Sequence, residues 1–566
     1  MVALMTRTFL VTGLCACLLG MSSQAHAELV GSVFEDRNRD GLRSEGEPGV
    51  VGIVVSNGRD VVTTSGDGDY ALPNWAPGWK RDRGTTTEDS FVFLTRRDDF
   101  TAVEWFRKGG GDFAIAPAEP EDEAFFIHIS DVHAYRQGAD IDAHYGIVPK
   151  WVPTWLAAYS AVRDLTHRMV PTYTDAVAPY LREAVLPYRD VKDAWSITAS
   201  TAYLEEFFRG GEIGNAEPQI LAAFDELRAM APEFLINTGD IVFDSRRTPA
   251  EVSADWMALY KQASSSVGVP VHNTIGNHEL GRVEYEDGAP GDPLYGPGFF
   301  EANFGPSYYS FDRGRFHFVA LDTHSPPQDE GAWHHNKLRP EVSAWLVADL
   351  AASSDREVVF VNHEPFFNDP AWTAEEDFEA REQVALADVD PTSRAAYTLT
   401  GHIHLNGIGR TGRVTHIATG AISGGHWIFP PKAFPRGYRL VYLKGDKLLS
   451  AWKRNGEPVV GFIDPLGDAP WLYPGSAGPL HAAAMGPKPN SIDISAIAAD
   501  HTGPFKSVAL SMDGVDVPIE MGGDYFVFAR ITKAQLNTAS SKPLLALVGQ
   551  RTDGSEVRSE LTLTFE

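Results

Sequence analysis

Between Glu28 and about Pro117 the chain alternates apolar and polar positions over short spans. These are "LVGSVFE", "VVGIVVSNG", "DVVTTSGDGDYALP" and "FVFLTR", separated by Gly, Asn and Asp. Alternation with period two puts every second side chain on one face, and the interruptions supply turn residues. The stretch 28–117 therefore reads as a small β-sandwich. "APAEPEDEA" (Ala116–Ala124), rich in proline and acid, reads as a linker. The pattern then changes. "EAFFIHISDVH", "PEFLINTGD", "VPVHNTIGNHE", "REVVFVNHE" and "AAYTLTGHIH" are near-continuous apolar runs, as expected of strands buried on both faces. Between some of them lie helical stripes. Ile220, Leu221, Phe224 and Leu227 form one, and Val342, Trp345, Leu346 and Leu350 form another. Strands alternating with helices predict a layered α/β domain over 118–455. A helical, aromatic-rich insert runs from Asp140 to about Gly214, as a cap over a site or as scaffold beside it. After Lys453 short β-like runs with Gly and Pro turns return, which predicts an all-β C-terminal domain over 456–566.

The first residues, "MVALMTRTFLVTGLCACLLGMSSQAHA", combine Arg7, an apolar core from Phe9 to about Met21 and small residues at Ala25-His26-Ala27. They read as a secretory signal peptide over 1–27, and hence as export to a periplasm or the cell exterior. The apolar core is shorter than the roughly 18–20 residues of a spanning helix, and no later segment is apolar enough to span a membrane. Leu14-Cys15-Ala16-Cys17 faintly resembles a lipid-attachment motif, but the apolar run continues past Cys17. Both cysteines lie in this segment. The chain beyond it can form no disulfide, thiolate metal site or cysteine nucleophile. The net charge of −28 disfavours nucleic-acid binding through a basic surface.

The ends of the five buried runs carry the chemistry. In order they are Asp131-Val132-His133, Gly239-Asp240, Gly276-Asn277-His278-Glu279, His363, and Gly401-His402-Ile403-His404. Each alone is weak, since a histidine after a strand usually has a structural role. Together they place imidazoles, aspartates and an asparagine where α/β sheets bind ligands, expected at one edge of one sheet. His402 and His404 are two apart, so on an extended segment they would share a face. Mixed imidazole and carboxylate donors suit Mn, Fe, Zn or Ni. Two such ions about 3.5–4 Å apart can clamp the attacking and leaving oxygens of a phosphoryl group. Asp240 is the natural bridging carboxylate because Gly239 lets the backbone turn there.

The ordered set resembles the calcineurin-like metallophosphoesterase family, whose pattern is D-x-H, G-D, G-N-H-[DE], H, G-H-x-H. All five blocks lie between Asp131 and His404. The resemblance implies a β-sandwich flanked by helices and two divalent transition metals. It implies one ion on Asp131, His133, Asp240 and His404 and the other on Asp240, Asn277, His363 and His402. His278 is similar to the family histidine that contacts phosphate and protonates the leaving oxygen. Asp131 is a further candidate to orient it. The implied reaction is hydrolysis of a small phosphate mono- or diester by a hydroxide held between the ions. The Ser/Thr phosphatase pattern G-D-x-x-D-R-G is not met by "GDIVFDSRR", and Phe243 stands where purple acid phosphatases carry tyrosine. The alternative, from another class, is a surface-binding or adhesion protein whose middle domain no longer turns over.

Other candidates are weaker. His128, His324, His334 and His335 are expected to be structural, second-layer or loop residues, and Asp140, Asp142 and His144 a solvated loop. One signal stands apart. "DRNRDGLRSEGE" fits the calcium-loop pattern D-x-[DN]-x-[DN]-G-x5-E, with Asp36, Asn38, Asp40, Leu42 (through its carbonyl), Ser44 and Glu47 as ligands. Its flanks read as strands, not helices, and with "GSVFED", "GEPGVVGIVVS" and "TTSGDGDYAL" around it the N-terminal domain resembles the SdrD B-like sandwiches of bacterial surface proteins, which implies a structural Ca2+.

Overall fold

The computed structural model describes residues 28–73, 91–102, 104–136, 216–285, 287–326, 333–365, 390, 394–404, 406–424, 427, 436–464, 482–484 and 487–565. The leader segment and the insert of 140–214, with Asp140, Asp142 and His144, lie outside them. Eight short strands, β1 (Leu29–Glu35) through β8 (Phe113–Pro117), form two four-stranded sheets around Val33, Val55, Val92 and Phe113. The linker is shorter than its composition suggests, since the next strand begins at Glu123.

Two sheets build the middle of the molecule. The first contains β9 (Glu123–Ile129), β10 (Phe234–Asn237), β11 (Val271–Asn273), β18 (Gly437–Lys444) and β19 (Lys447–Arg454), in the order β11-β10-β9-β18-β19. The second contains β12 (Tyr309–Arg313), β13 (Phe316–Ala320), β14 (Glu357–Val361), β15 (Ala395–Thr400), β16 (Gly407–Thr411) and β17 (Val414–Ala418), in the order β12-β13-β14-β15-β17-β16. β9, β10 and β11 run parallel, as do β13, β14, β15 and β17. Phe126, Ile236 and Val441 from the first sheet meet Phe318, Val359 and Leu399 from the second in one core. That is why the runs are apolar on both faces. The five expected strands are all present, but they divide between two sheets, three in the first and two in the second. An unbroken apolar run reports that a strand is buried on both faces and carries no information on which sheet it joins.

Helices cover the outside. α1 (Ala216–Ala229) buries Ile220, Phe224 and Leu227, and α2 (Ala250–Val267) buries Trp256, Met257 and Tyr260. Both pack on the first sheet, in a core shared with Ile127, Leu235 and Leu440. α3 (Gly298–Phe304) joins the same core through Phe299 and Phe300. α4 (Pro340–Ala352) adds Val342, Trp345 and Leu346 to the inter-sheet cluster. The last strands, β20 (Val459–Asp464) through β28 (Glu556–Thr564), make two sheets around Ile494, Leu510, Val527 and Leu547. This C-terminal body docks through Tyr525, whose hydroxyl donates to the Met230 carbonyl at 2.9 Å and whose ring lies 5.1 Å from Phe125. The N-terminal body docks through Arg96, 4.1 Å above the Trp105 ring and 5.0 Å from that of Tyr309. No helix among the described residues is long and apolar enough to cross a membrane.

Candidate metal centre

The parallel strands of both sheets deliver their carboxyl ends to one place. β9 leads into Asp131 and His133, β10 into Asp240, β11 into Asn277 and His278, β14 into His363, and β15 into His402 and His404. Asp131, His133, Asp240, Asn277 and His363 are buried, His402 and His404 nearly so. Asp131, His133 and His404 converge, as do Asp240, His363 and His402, and His133, Asp240 and His278. Asp240 belongs to two of these groups. Its Oδ1 lies 3.1 Å from His363 Nε2, while its Oδ2 faces His133 Nε2 and His278 Nε2 at 3.8 Å each.

Five of the seven expected ligands have left-handed backbone: Asp131, His133, Asp240, His402 and His404, with φ between 45° and 65°. Such non-glycine residues cost on the order of 1–3 kcal/mol each and persist only where the surroundings demand them. His402 and His404 thus do not share a face of an extended segment. β15 stops at Thr400, and a left-handed turn at each histidine sends them to different partners. His404 Nε2 lies 3.1 Å from His133 Nε2, and His402 Nδ1 lies 3.1 Å from His363 Nε2. The motif glycines also divide their work. Gly239 has φ 102°, so it is needed for the turn. A Cβ on Gly276 would sit 2.4 Å from Asp240 Oδ1, and one on Gly401 would sit 1.7 Å from Ser130 Oγ, so these two permit close approach.

The protons decide what the cluster can hold. His404 Nδ1 donates to the Gly424 carbonyl at 2.8 Å, and His363 Nδ1 donates to the Thr238 carbonyl at 2.8 Å. Each Nε2 of the neutral ring therefore carries a lone pair. His363 Nε2 faces Asn277 Oδ1, Asp240 Oδ1 and His402 Nδ1, all at 3.1 Å. An imidazole with one nitrogen donating to a backbone carbonyl and the other facing acceptors is the usual arrangement of a metal ligand. Charge agrees. Burial favours neutral His363, but Asp240 and Asp131 overcome it and lift the ring to about 10. Burial likewise opposes ionised Asp131, yet His404 and His363 hold its carboxyl well below the usual range. The donor set fits divalent ions and calls for cations between its members.

Around the donors sit residues to which the sequence assigned no role or a lesser one. Glu279, fully buried, accepts from the Ile241, Val242 and Gly276 amides at 2.8, 3.0 and 3.0 Å and so ties the G-D turn to the G-N-H turn. Burial, then the charge of Asp240, raises its carboxyl to about 8. His278 Nδ1 donates to the Phe243 carbonyl, and its backbone amide donates to Asp240 Oδ1 at 3.0 Å. The Phe243 carbonyl thus orients His278, while Asp131 Oδ2 accepts from the His402 amide at 3.1 Å. Arg246 reaches His278 Nε2 at 3.3 Å while Asp244 accepts from its Nε at 3.0 Å. "GDIVFDSRR" lacks the phosphatase spacing but still brings a guanidinium to the site, because the chain bends back after Asp244. His128 is structural: Thr419 and Thr238 hydroxyls lie 2.8 and 3.1 Å from its two nitrogens. His324 and His335 meet Glu364 beside the cluster, and His334 makes a backbone bridge to Ser325.

Asp36 and Glu47 in the N-terminal loop are buried, with Asp36 accepting from the Asp40 and Gly41 amides at 3.2 and 2.9 Å. Glu47 accepts from the Arg37, Asn38 and Ser44 amides at 3.0, 3.4 and 2.7 Å. Nothing beyond the loop pattern bears on the SdrD B-like resemblance.

Residues 126–406 match the family model for calcineurin-like phosphoesterases. No curated protein matches the chain. Solved structures that resemble it include GAP50, the anchor in the inner membrane complex of Plasmodium. It is 11% identical, over 42% of this chain and 79% of that one, with a TM-score of 0.26. A predicted phosphoesterase from Streptococcus pneumoniae TIGR4 is 10% identical over 59% and 91%, with a TM-score of 0.20. Phosphopantetheinyl hydrolase from Mycobacterium tuberculosis is 14% identical over 33% and 79%, with a TM-score of 0.21. Likeness this slight leaves the family match and the donor geometry to carry the reading.

Proposed function

From a calcineurin-like phosphoesterase domain at residues 126–406, we propose that the protein is an exported, dinuclear-metal phosphoesterase acting on a small phosphate ester. The observation that carries this is Asp240, whose two oxygens face separate donor groups. Asp131, His133 and His404 would complete one half, and Asn277, His363 and His402 the other. Divalent ions bound there would supply Lewis acidity toward phosphoryl oxygens and lower the pKa of water.

The chain's own residues do the rest. Thr238 and Gly424 carbonyls fix the ring orientations of His363 and His404. Glu279 holds the two turns that carry Asp240 and Asn277 at a constant separation. The Phe243 carbonyl fixes His278 so that Nε2 points to the Asp240 side, where the doubly protonated ring would hand its Nε2 proton to a leaving oxygen and return to the Nδ1–H form. Arg246 beside His278 offers a guanidinium to the phosphoryl charge, a pairing that suits arginine's planar donors.

Metal analysis with paired phosphomonoester and phosphodiester assays tests the reading. Wild type should hold transition metal and hydrolyse one ester class clearly. Asn277→Ala should lose metal, and His278→Ala should keep metal while turnover falls. A fully metallated protein inert toward every ester would instead support the binding or adhesion reading. Export is supported by the leader-like residues 1–27; a native amino terminus before Glu28 would contradict cleavage after Ala27.

We also propose Ca2+ in the loop Asp36–Glu47. Two buried carboxylates in a tight acidic loop support it. Calcium chelation should lower the melting temperature of the N-terminal body with little effect on turnover, and an unchanged melt removes the claim.

A further inference from the structure

Beside the dinuclear cluster lies a second convergence of donors. Glu364 follows His363 in the chain and is buried. Its Oε1 lies 2.9 Å from His324 Nε2 and 2.9 Å from His335 Nδ1. Donor atoms of the three residues all fall within 4.8 Å of one another. His324 and Glu364 are buried, at 0% and 2% exposure, and the His335 side chain retains 20%, leaving one open side.

The supporting layer is built as it is around bound metals. His324 Nδ1 faces Asp322 Oδ1 at 3.1 Å, and Asp322 accepts through Oδ2 from Arg339 Nη1 at 2.8 Å. Asp322 thereby takes the Nδ1 side of His324, so Nε2 is the nitrogen that faces Glu364, and an ion there would stand in for the proton that Nε2 shares with Glu364. Thr323 donates to the other oxygen, Oε2, at 2.8 Å, so Glu364 presents Oε1 to both rings. A carboxylate oriented by a hydroxyl, and a histidine oriented by an arginine-held aspartate, are second-layer partners of ligating groups. Two ring nitrogens aimed at one carboxylate oxygen need positive charge between them. Two protons supply it, or one divalent ion.

We propose that His324, His335 and Glu364 form a third metal site, separate from the dinuclear cluster, that takes a zinc-like divalent ion. Two imidazoles and a carboxylate, with a further position open, match a three-ligand zinc site. The ring of His335 lies 6.3 Å from that of His402, so an ion here would border the half of the cluster that contains His363. The site goes beyond the phosphoesterase reading and does not depend on it.

The test uses the chelator-stripped full-length protein, equilibrated with Zn2+ and measured by elemental analysis. Wild type should bind three tight equivalents and His335→Ala two. Asp322→Asn keeps all three ligands and should weaken the third equivalent by about ten- to a hundred-fold. Asn277→Ala should reduce the other equivalents and keep this one, which separates failure here from failure of the dinuclear reading. Zinc-edge anomalous diffraction on wild-type crystals removes any concern that a variant misfolds. A peak within bonding distance of His324 Nε2, His335 Nδ1 and Glu364 supports the site. Two equivalents in both wild type and His335→Ala, or no peak there while the other positions are full, would overturn it and leave a proton-held His–Glu–His network.

Discussion

His317 and His363 are both fully buried histidines of the second sheet, one inside β13 and one just past the end of β14. Carboxylates lift both to about 10 against the opposing effect of burial. Their surroundings nevertheless differ in kind. His317 has Asp312 Oδ1 at 2.7 Å from Nδ1 and Asp349 Oδ2 at 2.8 Å from Nε2. Two N–H groups and two carboxylates complete each other, and nothing is left to coordinate. His363 Nδ1 donates to a backbone carbonyl, and its Nε2 faces two oxygens and a ring nitrogen at once. A buried histidine–carboxylate contact is therefore not a metal signal in itself. What separates the two is that each His317 nitrogen has a carboxylate to itself, whereas His363 Nε2 also faces a second ring nitrogen, His402 Nδ1.

The contrast can be broken most sharply at Asp240. Asp240→Ala removes the oxygen that faces both halves of the cluster, so metal content should collapse and hydrolysis fall to the blank; retained activity would remove the bridging role. His278→Ala comes next. Metal should stay while kcat drops by about 10²–10⁴, the usual size of a lost general acid. If metal leaves with it, His278 belongs among the ligands.

His317→Ala should act on the other side of the comparison. It leaves Asp312 and Asp349 buried without their shared partner, a loss of about 3–5 kcal/mol in stability. Metal content and activity per folded molecule should not change, as read by urea unfolding beside elemental analysis. A smaller effect follows from pH. The folded-state value of His317, about 10, lies above the ordinary 6.5. Its contribution is fully present below 6.5 and fades as pH rises toward 10. Metal-loaded wild type should therefore lose stability across that window more steeply than metal-loaded His317→Ala. Parallel curves would mean that the ring is neutral in the fold.

Much of this was readable in the chain because strands buried on both faces leave unbroken apolar runs. The residues just after them, Asp131 through His404, then stand out by type and order. The assignment of β14 and β15 to a second sheet was not readable, since pairing depends on contacts far apart in the chain. α2 was missed because its stripe includes Ser253 and Ser264, which are buried without being apolar. Arg246 and Glu364 carry no local pattern, and Glu279 closes the G-N-H-[DE] block without its role being readable there. Arg246 is drawn in by a bend after Asp244, Glu279 by amides of a neighbouring turn, and Glu364 by a reversal after His363. The glycines were visible, but their reason was only partly so: Gly239 turns the chain, whereas Gly276 and Gly401 make room for Asp240 and Ser130.

Anomalous diffraction at the manganese edge, on crystals of the full chain equilibrated with Mn2+, tests the central claim most directly. Two peaks about 3.5–4 Å apart should lie on either side of the Asp240 carboxylate. One should touch Asp131, His133 and His404, and the other Asn277, His363 and His402. A single peak, or two that do not share Asp240, would contradict the account.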